Sequence, residues 1–484
     1  MNIVHGSAVF CFLVAPTYGE RVGGNRSSVK NHILPIAIDS NLTSAINGGS
    51  YYNTAAELET AVINMYDGLQ GENSTSANDN HATQIEFYLT EMRSDNTRTK
   101  AQEGEAAQFE SYAVEATNGI VADYYRSFYN VILRANLVLA NLDAASGATA
   151  TQFEAEAKFV RAYAYFNLVR LYGDVPLVDR VIGPSDTDIS YTRAPSDSIY
   201  ALIVSDLTTA IAGLNNDYRT RASQAAAQVL LAKVHLTRGE YAQARGLLES
   251  VINGGNYSLE PNFGDIFYNE SNSETIFAIG YAPGGVDSQN FSAEWLNAVG
   301  RTSGVNYVTA DVRTAFTDFG GTERSEASFR QDASQPQEYQ VAKYFPNGEL
   351  GPDYATDPTK AGNDWIVLRY ADVLLMYAEA ILAGANDTVD QAARDAVQDV
   401  RERAGIMGNV TIVTKDLLLN ERRVELAFEN HRLFDLIRFG KAQEVLSAFS
   451  TANSYGFSTT DLLLPIPQVE IGLSKGQLTQ NPGY

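Results

Sequence analysis

A helical repeat in the middle of the chain limits the folds that are open to it. Segment 225–252 has small alanines where two helices approach, a glycine at Gly239 for the turn, and Tyr241 followed by alanines on the second helix. This is the pattern of a tetratricopeptide unit of about 34 residues. Each such unit leaves an apolar face that only a neighbouring unit covers, so several units must stack. The repeat therefore predicts an α-helical scaffold.

Other segments continue this helical pattern. Segment 368–404 shows the same pattern of small residues, with a turn glycine at Gly384. A weaker copy of the pattern runs through 159–172. Thr54 and Glu57 form a capping box for the first predicted helix. The further helices predicted from apolar spacing cover 82–92, 120–142, 153–172, 196–214, 222–238, 241–253, 365–383, 389–404 and 416–439.

Between residues 254 and 363 the apolar residues no longer follow a helical spacing. Gly, Asn, Ser, Asp and Pro become frequent there, with aromatic residues among them. Segment 275–281 is the best strand candidate, and a long loop follows over 282–304. Long loops on a rigid scaffold often carry binding residues.

These observations predict a mainly α fold. The prediction is a tetratricopeptide-like helical repeat scaffold, mainly over 54–253 and 365–440, with an irregular loop-rich, ligand-binding lobe containing few short strands at about 254–363. Residues 1–49 are expected to be a lead-in to a single domain over 50–484.

The run 420–440 has more apolar residues than one narrow stripe along a helix can hold. We therefore expect a helix that packs against neighbours on more than one side. Its charged residues place opposite signs three apart, where helix side chains are neighbours. They are Arg422, Glu425, Glu429, Arg432, Asp435 and Arg438. Ion-pair networks resemble catalytic clusters, and the pattern favours a structural helix with a paired polar seam.

Composition argues against several functions. The net charge of −23 repels nucleic acid and anionic lipid. The single cysteine, Cys11, gives no internal disulfide. The five histidines form no HExxH motif, and no P-loop or GxSxG is present. Catalysis has no positive support and no cofactor is predicted, while the many acidic residues leave a glycosidase carboxylate pair and a structural calcium open.

Four long motifs occur in an order that is typical of one family. They are 154–178 (EAEAKFVRAYAYFNLVRLYGDVPLV), 368–380 (LRYADVLLMYAEA), 421–440 (ERRVELAFENHRLFDLIRFG) and the ending LPIPQ with TQNPGY at 464–468 and 479–484. They resemble the signatures of the SusD/RagB nutrient-binding outer-membrane lipoproteins of Bacteroidetes. The resemblance covers about residues 50–484.

The resemblance implies a fold in which helical repeats join an irregular second lobe. It also implies a surface-exposed protein of the outer membrane that captures an oligosaccharide or polysaccharide and delivers it to a TonB-dependent SusC-like transporter. Two alternatives stay open: a peptide-binding RagB-like uptake protein and, with less support, a secreted glycoside hydrolase. No nucleic-acid partner is expected.

The resemblance also directs attention to particular residues. Family members commonly build an aromatic glycan platform in the region of Trp295, which here either forms such a platform or packs in the loop. Tyr281, Phe291 and Tyr307 flank it and either extend the platform or pack beneath the loop. Trp365 is expected to be structural.

Arg93, Asp95 and Asn96 fall where the family often contributes polar ligand contacts. Asp95 and Asn96 could accept from and donate to sugar hydroxyls. The other interpretation of this segment is a turn that ends a helix.

In members of the family the mature chain starts at a lipidated cysteine preceded by a small residue. Cys11 follows Phe10, and almost no apolar segment precedes it. Any attachment to the membrane is expected only through such a lipid anchor, and Cys11 departs from the family pattern for one.

Overall fold

The computed structural model describes residues 52–71, 80–100, 104–183, 186, 191–270, 272–285, 287–295, 306–332, 335–344 and 357–484. All of them belong to one compact unit, Pro35–Tyr484. The predicted lead-in 1–49, and Cys11 with it, lies outside the described residues.

The described part of the chain is mostly helical, as predicted. Its α-helices are α1 (Ala55–Gln70), α2 (Glu86–Leu89), α3 (Gly104–Glu110), α4 (Gly119–Ala140), α5 (Gly147–Tyr172), α6 (Ser196–Gly213), α7 (Gln224–Thr237), α8 (Tyr241–Gly254), α9 (Asp265–Tyr268), α10 (Phe291–Glu294), α11 (Ala310–Phe319), α12 (Thr322–Ser328), α13 (Tyr370–Leu382), α14 (Gln391–Arg403), α15 (Lys415–Glu425), α16 (Arg432–Arg438), α17 (Ala442–Asn453) and α18 (Gln468–Leu473).

The strands are short and pair only two by two in the described residues. They are β1 (Thr97–Thr99), β2 (Thr275–Ile279), β3 (Asn306–Val308), β4 (Phe329–Gln331), β5 (Tyr339–Val341), β6 (Trp365–Arg369), β7 (Asp387–Thr388) and β8 (Val413–Thr414). The antiparallel pairs are β1 with β3, β2 with β6, β4 with β5, and β7 with β8. Three of these pairs join segments far apart in the chain.

The helices form a stack in which each packs on the next. Helix α1 packs on α4, and α4 to α8 follow one another through the stack. Helix α8 then contacts α13, which packs on α14, so the two predicted repeat regions are joined. Gly239 adopts φ 73° in the turn between α7 and α8, a conformation that side chains with a Cβ disfavour. The repeat scaffold is therefore confirmed.

The first helix starts at the predicted capping box. The Thr54 hydroxyl accepts from the backbone N–H of Glu57 at 3.3 Å, and the Glu57 carboxylate accepts from the backbone N–H of Thr54 at 3.0 Å. These two bonds satisfy amide groups that a helix N-terminus leaves open.

Two helix predictions before the C-terminal run are wrong in detail. The segment predicted as one helix over 82–92 is α2 between two short 3₁₀ turns, Ala82–Ile85 and Glu91–Arg93. The helix predicted from residue 365 begins only at α13, because residues Trp365–Arg369 pair as β6 with β2. Trp365 is nevertheless buried, as predicted.

The loop-rich lobe contains the strand β2 where a strand was predicted. It also contains the helix α11, which was not predicted. The buried residues of α11, Val312, Ala315 and Phe316, have a helical spacing in the sequence.

The C-terminal run is not one helix. It divides into α15 and α16, and Phe428 and Asn430 between them adopt φ of 65° and 64°. Positive φ is uncommon for phenylalanine and stops a helix. The Phe428 N–H donates to the Glu91 carboxylate at 3.0 Å, and the Phe428 carbonyl accepts from the Tyr344 hydroxyl at 2.5 Å. Two bonds from distant segments therefore stabilise a conformation that the local sequence does not favour.

The charges of this run are paired, as predicted, but mostly with other elements. Asp435 and Arg438 form the expected neighbouring pair at 2.8 Å. Asp435 also accepts from Arg422 at 2.9 Å, across the break between the helices. The remaining charges of the run bond to residues from the lobe, from β6 and from the early chain, which makes the seam a structural network.

Arg369 is the centre of this network. Its guanidinium donates to Glu274 at 2.6 Å, to Glu425 at 2.7 Å and to both oxygens of Glu429, at 2.7 and 2.9 Å. Lys343, from the lobe, adds a bond to Glu429 at 2.7 Å. All five residues are buried.

Buried charges of this kind are destabilising unless each has its partners. Burial by itself raises the pKa of Glu425, but the guanidiniums of Arg403, Arg369 and Arg324 outweigh it and hold that pKa well below its ordinary value. Glu425 is therefore ionised and neutralised by arginines from β6, α12 and α14. The network fastens the lobe to the repeat scaffold.

We predict that Arg369→Met lowers the free energy of unfolding by about 3–5 kcal/mol, because it leaves buried carboxylates short of a cation. Denaturant unfolding followed by circular dichroism measures this. Arg238→Met is the matched control: Arg238 pairs with Glu240 at 2.8 Å on the surface, where a pair contributes about 1 kcal/mol or less. Equal losses in both variants would show that the buried network is not a special determinant of stability.

Glu91 gives a second prediction. It is fully buried, and its Oε1 accepts from the Asn96 amide at 2.8 Å and from the Phe428 N–H, while Oε2 has no hydrogen-bond partner among the described residues. Burial raises its pKa from 4.5 to about 7. Because the folded pKa is the higher one, the proton stabilises the fold at low pH, and this contribution is lost as the pH rises from 4.5 to about 7.

Glu91→Gln keeps a neutral side chain that can accept the same two bonds. We expect its Tm relative to the unsubstituted chain to increase between about pH 5 and about pH 8. Thermal denaturation across this range measures the difference. Glu444→Gln, at an exposed position, is the control for removing one charge from the chain, and a pH dependence no different from this control would contradict the assignment.

Candidate functional site

The predicted aromatic platform residues lie in the core. Trp295 is 0% exposed, and its ring packs near Phe87, Tyr344 and Phe428 at centroid distances of 5.0, 6.2 and 6.2 Å. A platform for a sugar needs a free ring face. The structure gives Trp295 the packing role, and not that of an exposed platform.

Phe291 and Tyr281 belong to the same buried cluster. Phe291 packs edge-on against Trp365 at 5.2 Å and against Tyr344 at 5.6 Å, and the Tyr281 ring lies 5.8 Å from Phe291. The Tyr281 hydroxyl donates to the Gln70 carbonyl at 2.7 Å. Both residues are buried, so they join the lobe to α1 and β6 instead of extending a platform.

Arg93 is also buried, and its guanidinium is used internally. It donates to the Leu89 carbonyl at 3.0 Å and to the Asp461 carbonyl. Burial lowers the pKa of Arg93. Its role is to connect the end of the early helical segment to the C-terminal part of the chain.

Asp95 and Asn96 bond to arginines of the C-terminal run. Asp95 accepts two bonds from Arg432, at 2.8 and 2.9 Å, and pairs with Arg423 at 2.9 Å. Burial alone would raise the pKa of Asp95, but these two guanidiniums outweigh it and hold that pKa well below its usual range. The Asn96 side-chain oxygen accepts from Arg423 Nε at 3.0 Å. Neither residue offers its polar groups to a ligand in this arrangement.

The early segment and the loop-rich lobe meet at a junction. The Thr309 hydroxyl donates to the Asp95 carbonyl at 2.8 Å, directly after β3, and Arg98 of β1 lies opposite Tyr307 of β3. The early segment that contains Arg93, Asp95 and Asn96 thus meets the lobe that contains the aromatic residues. Arg93, Asp95, Asn96, Tyr281, Phe291 and Trp295 are buried supports of this junction, and a ligand site at the junction stays a prediction.

Partly exposed side chains lie at the outer edge of this junction. Arg98 and Glu338, each 27% exposed, pair through two hydrogen bonds of 2.9 and 3.0 Å. The Arg98 guanidinium lies 4.9 Å from the centre of the Tyr307 ring, and the Tyr307 hydroxyl donates to the Gln335 side chain at 2.6 Å. We name Arg98, Tyr307, Gln335 and Glu338 the Arg98 group.

Tyr339 extends the surface next to the Arg98 group. It is half-buried, and the Arg313 guanidinium lies 4.1 Å from the centre of its ring. Of these residues only Tyr307 was predicted from the sequence. A weak signal for Arg98 existed, since it alternates with Thr97 and Thr99, which are both buried.

The Arg98 group has the chemistry to hydrogen-bond neutral polar groups. A guanidinium, a carboxylate and an amide offer planar donors and acceptors within a small area, and a tyrosine ring supports them from below. Because Arg98 and Glu338 neutralise each other, the group carries no net charge.

Two further features concern ions and membranes. Within the described ranges, His, Cys, Asp and Glu do not gather in threes where a metal ion could bind. None of the helices seen in those ranges has the length and apolar character needed to cross a membrane.

Comparison with known proteins agrees with the fold. A family model described as "SusD family" matches residues 294–484, and a second, described as "Starch-binding associating with outer membrane", matches residues 47–236. SusD-like protein P2 of Formosa agariphila is 26% identical, over 90% of this chain and 94% of that protein.

Solved structures give the same result. A laminarin binding SusD-like protein has a TM-score of 0.73 and 26% identity, covering 89% of this chain and 100% of the other. Surface glycan-binding protein A from Bacteroides thetaiotaomicron has a TM-score of 0.75 with 22% identity, covering 90% and 100%, and shows the same fold. The two family models, the relatives and the shared architecture together establish that this chain belongs to the SusD-like family.

Proposed function

We propose that this protein is a cell-surface glycan-binding protein that captures an oligosaccharide or polysaccharide and delivers it to a TonB-dependent SusC-like transporter. Three findings support the proposal: membership of the SusD-like family, the similarity to a structure described as laminarin binding, and the chemistry of the Arg98 group. The Arg98 group is the observation that carries it for this chain.

A sugar presents hydroxyl groups around its ring, each able to donate and accept hydrogen bonds. Planar side chains bond to such hydroxyls well, because a guanidinium and a carboxylate each offer two sites in one plane. In the Arg98 group these side chains are partly exposed and held in place by β1, β3 and β5, which contact one another. Little conformational entropy is then lost when a ligand binds.

The absence of net charge in the Arg98 group is consistent with a neutral glycan. The chain as a whole carries a net charge of −23. The resulting negative potential repels an anionic polysaccharide unless basic residues gather at the site. In this proposal the protein binds and releases its ligand and breaks no bond, so it is a binding protein and not an enzyme.

We further propose that the protein acts at the outer surface of the outer membrane. The description of the second family model, which associates its members with the outer membrane, supports this location. Anchoring through a lipidated cysteine remains part of the proposal.

Arg98→Met tests the site. Loss of a hydrogen bond to a charged group is expected to weaken glycan binding by about tenfold or more. Affinity electrophoresis against a panel of polysaccharides that includes laminarin identifies the ligand, and calorimetry then gives Kd for both proteins. Arg126→Met is the control, since Arg126 is 44% exposed and pairs with Glu470 on another part of the surface.

The outcomes separate the alternatives. If Arg98→Met binds the glycan as the unsubstituted chain does, the proposed function stands and the binding site lies elsewhere. No binding to any glycan, with depletion of a peptide mixture instead, supports the RagB-like peptide-uptake alternative. Release of reducing ends during incubation supports a glycoside hydrolase and overturns the proposed function.

Trp295→Ala provides a separate prediction about the buried cluster. Because the ring is fully buried, we expect a loss of about 3–5 kcal/mol in the free energy of unfolding. At a temperature where the variant is still folded, Kd for the glycan should change by less than about twofold. A variant of unchanged stability that no longer binds would instead identify Trp295 as a ligand contact.

A further inference from the structure

The loop between α6 and α7 carries an exposed aromatic ring. Tyr218 in this loop is 38% exposed, and no other aromatic side chain of the described residues is as exposed. A tyrosine ring presents an apolar face and a polar hydroxyl at its tip. Both tryptophans of the chain are buried. Tyr218 is therefore the described aromatic ring that is most open to a ligand.

The Arg221 guanidinium lies next to this ring, 5.1 Å from its centre. Arg221 is itself held by a buried carboxylate: it donates from Nε and from a terminal nitrogen to Glu156, at 2.9 and 2.7 Å. The Tyr66 hydroxyl donates to the same carboxylate at 2.7 Å. A cation at this distance is attracted to the face of an aromatic ring. The contact with Arg221 therefore favours one position of the Tyr218 ring.

Glu59 of α1 adds a second carboxylate beside Arg221. Its Oε1 accepts from Arg221 Nη1 at 3.3 Å. The Glu59 side chain is 47% exposed and that of Arg221 is 19% exposed. Because Glu59 and Tyr218 both contact Arg221, an exposed ring, a carboxylate and a guanidinium lie together at the surface. We name Glu59, Tyr218 and Arg221 the Tyr218 group.

The loop that carries Tyr218 is held in place on both sides of the ring. The Arg219 carbonyl accepts from the Ala278 N–H of β2 at 2.9 Å. The Asn216 side-chain oxygen accepts from the Ala225 N–H at the start of α7, at 2.8 Å. A ligand that binds to a loop fixed in this way orders few additional groups, so little conformational entropy is lost.

These side chains suit a sugar ring. The C–H face of a sugar is apolar and packs on an exposed aromatic ring, while its hydroxyls bond to carboxylates and guanidiniums. Arg221 is neutralised by Glu59 and Glu156, so the Tyr218 group offers no unpaired cation to an anionic ligand. The chemistry favours a neutral sugar.

A protein surface fits this place less well. A stable protein interface buries about 800 Å² on each partner, and the centre of such an interface is apolar. The residues around Tyr218 in the loop are polar, namely Asn215, Asn216, Asp217, Arg219 and Thr220.

We propose that the Tyr218 group is a second glycan-binding site of this protein, where the Tyr218 ring stacks on one sugar of a neutral glycan while Glu59 and Arg221 bond to its hydroxyls. The inference rests on the proposed function. It adds a site on α1 and the α6–α7 loop to the Arg98 group, which is held by β1, β3 and β5. Two sites on one protein strengthen the binding of a long polysaccharide when one chain occupies both.

Tyr218→Ala tests the second site. The probes are laminarin and the other polysaccharides of the affinity-electrophoresis panel. For a polysaccharide that retards the unsubstituted chain, Kd from calorimetry should rise about tenfold in Tyr218→Ala, because the stacking face is lost. Tyr218→Phe keeps that face, and its Kd should stay within about threefold. The loss should also occur in an Arg98→Met background, since the two sites share no residue.

Met407→Ala is the control for removing an exposed apolar side chain. Met407 is 88% exposed and follows α14, so Kd should not change. Circular dichroism checks that each variant is folded, and Glu59→Ala, which should also weaken binding, replaces Tyr218→Ala if that variant does not fold. Equal Kd values for Tyr218→Ala and the unsubstituted chain would overturn the inference and leave the proposed function intact. Retardation by no polysaccharide of the panel would overturn both.

Discussion

Arg369 connects the parts of the molecule because its guanidinium, buried in β6, neutralises three carboxylates from two parts of the chain. Glu274 comes from the loop-rich lobe, and Glu425 and Glu429 come from the C-terminal run. A buried charge without partners is very costly, so each group restricts the positions of the others. The network therefore stabilises the arrangement of the lobe on the repeat scaffold in which all of these charges are paired.

The break between α15 and α16 belongs to the same arrangement. Phe428 adopts its left-handed conformation between Glu425 and Glu429, and its backbone bonds to Glu91 and Tyr344. The break lets one short segment reach the early chain, the lobe and β6 together.

This buried support explains the form of the candidate site. The side chains of Asp95, Asn96 and Trp295 are buried, and their contacts hold β1 and the lobe in place. Arg98 and Glu338, the partly exposed charged residues of the Arg98 group, lie at the outer edge of the junction. In the proposed function the buried contacts hold these side chains in place, so that little conformational entropy is lost when a glycan binds.

Much of the scaffold could be predicted from the sequence, because helix periodicity, capping and turn glycines are local properties. The capping box at Thr54, the long helices α4 to α8 and the turn at Gly239 follow from residues a few positions apart. The exposure of the candidate site residues could not be predicted in the same way. Whether the Trp295 ring is exposed depends on Phe87, Tyr344 and Phe428, which approach it from distant parts of the chain.

The sequence by itself thus determined a stack of helices with a loop-rich lobe and a network of paired charges. Only the tertiary structure decided which charges pair, where the C-terminal helix breaks and which aromatic faces remain free. The physical reason is that a buried ion pair or ring contact joins residues tens or hundreds of positions apart, such as Asp95 and Arg432. Local sequence patterns carry no information on which of many possible partners will meet.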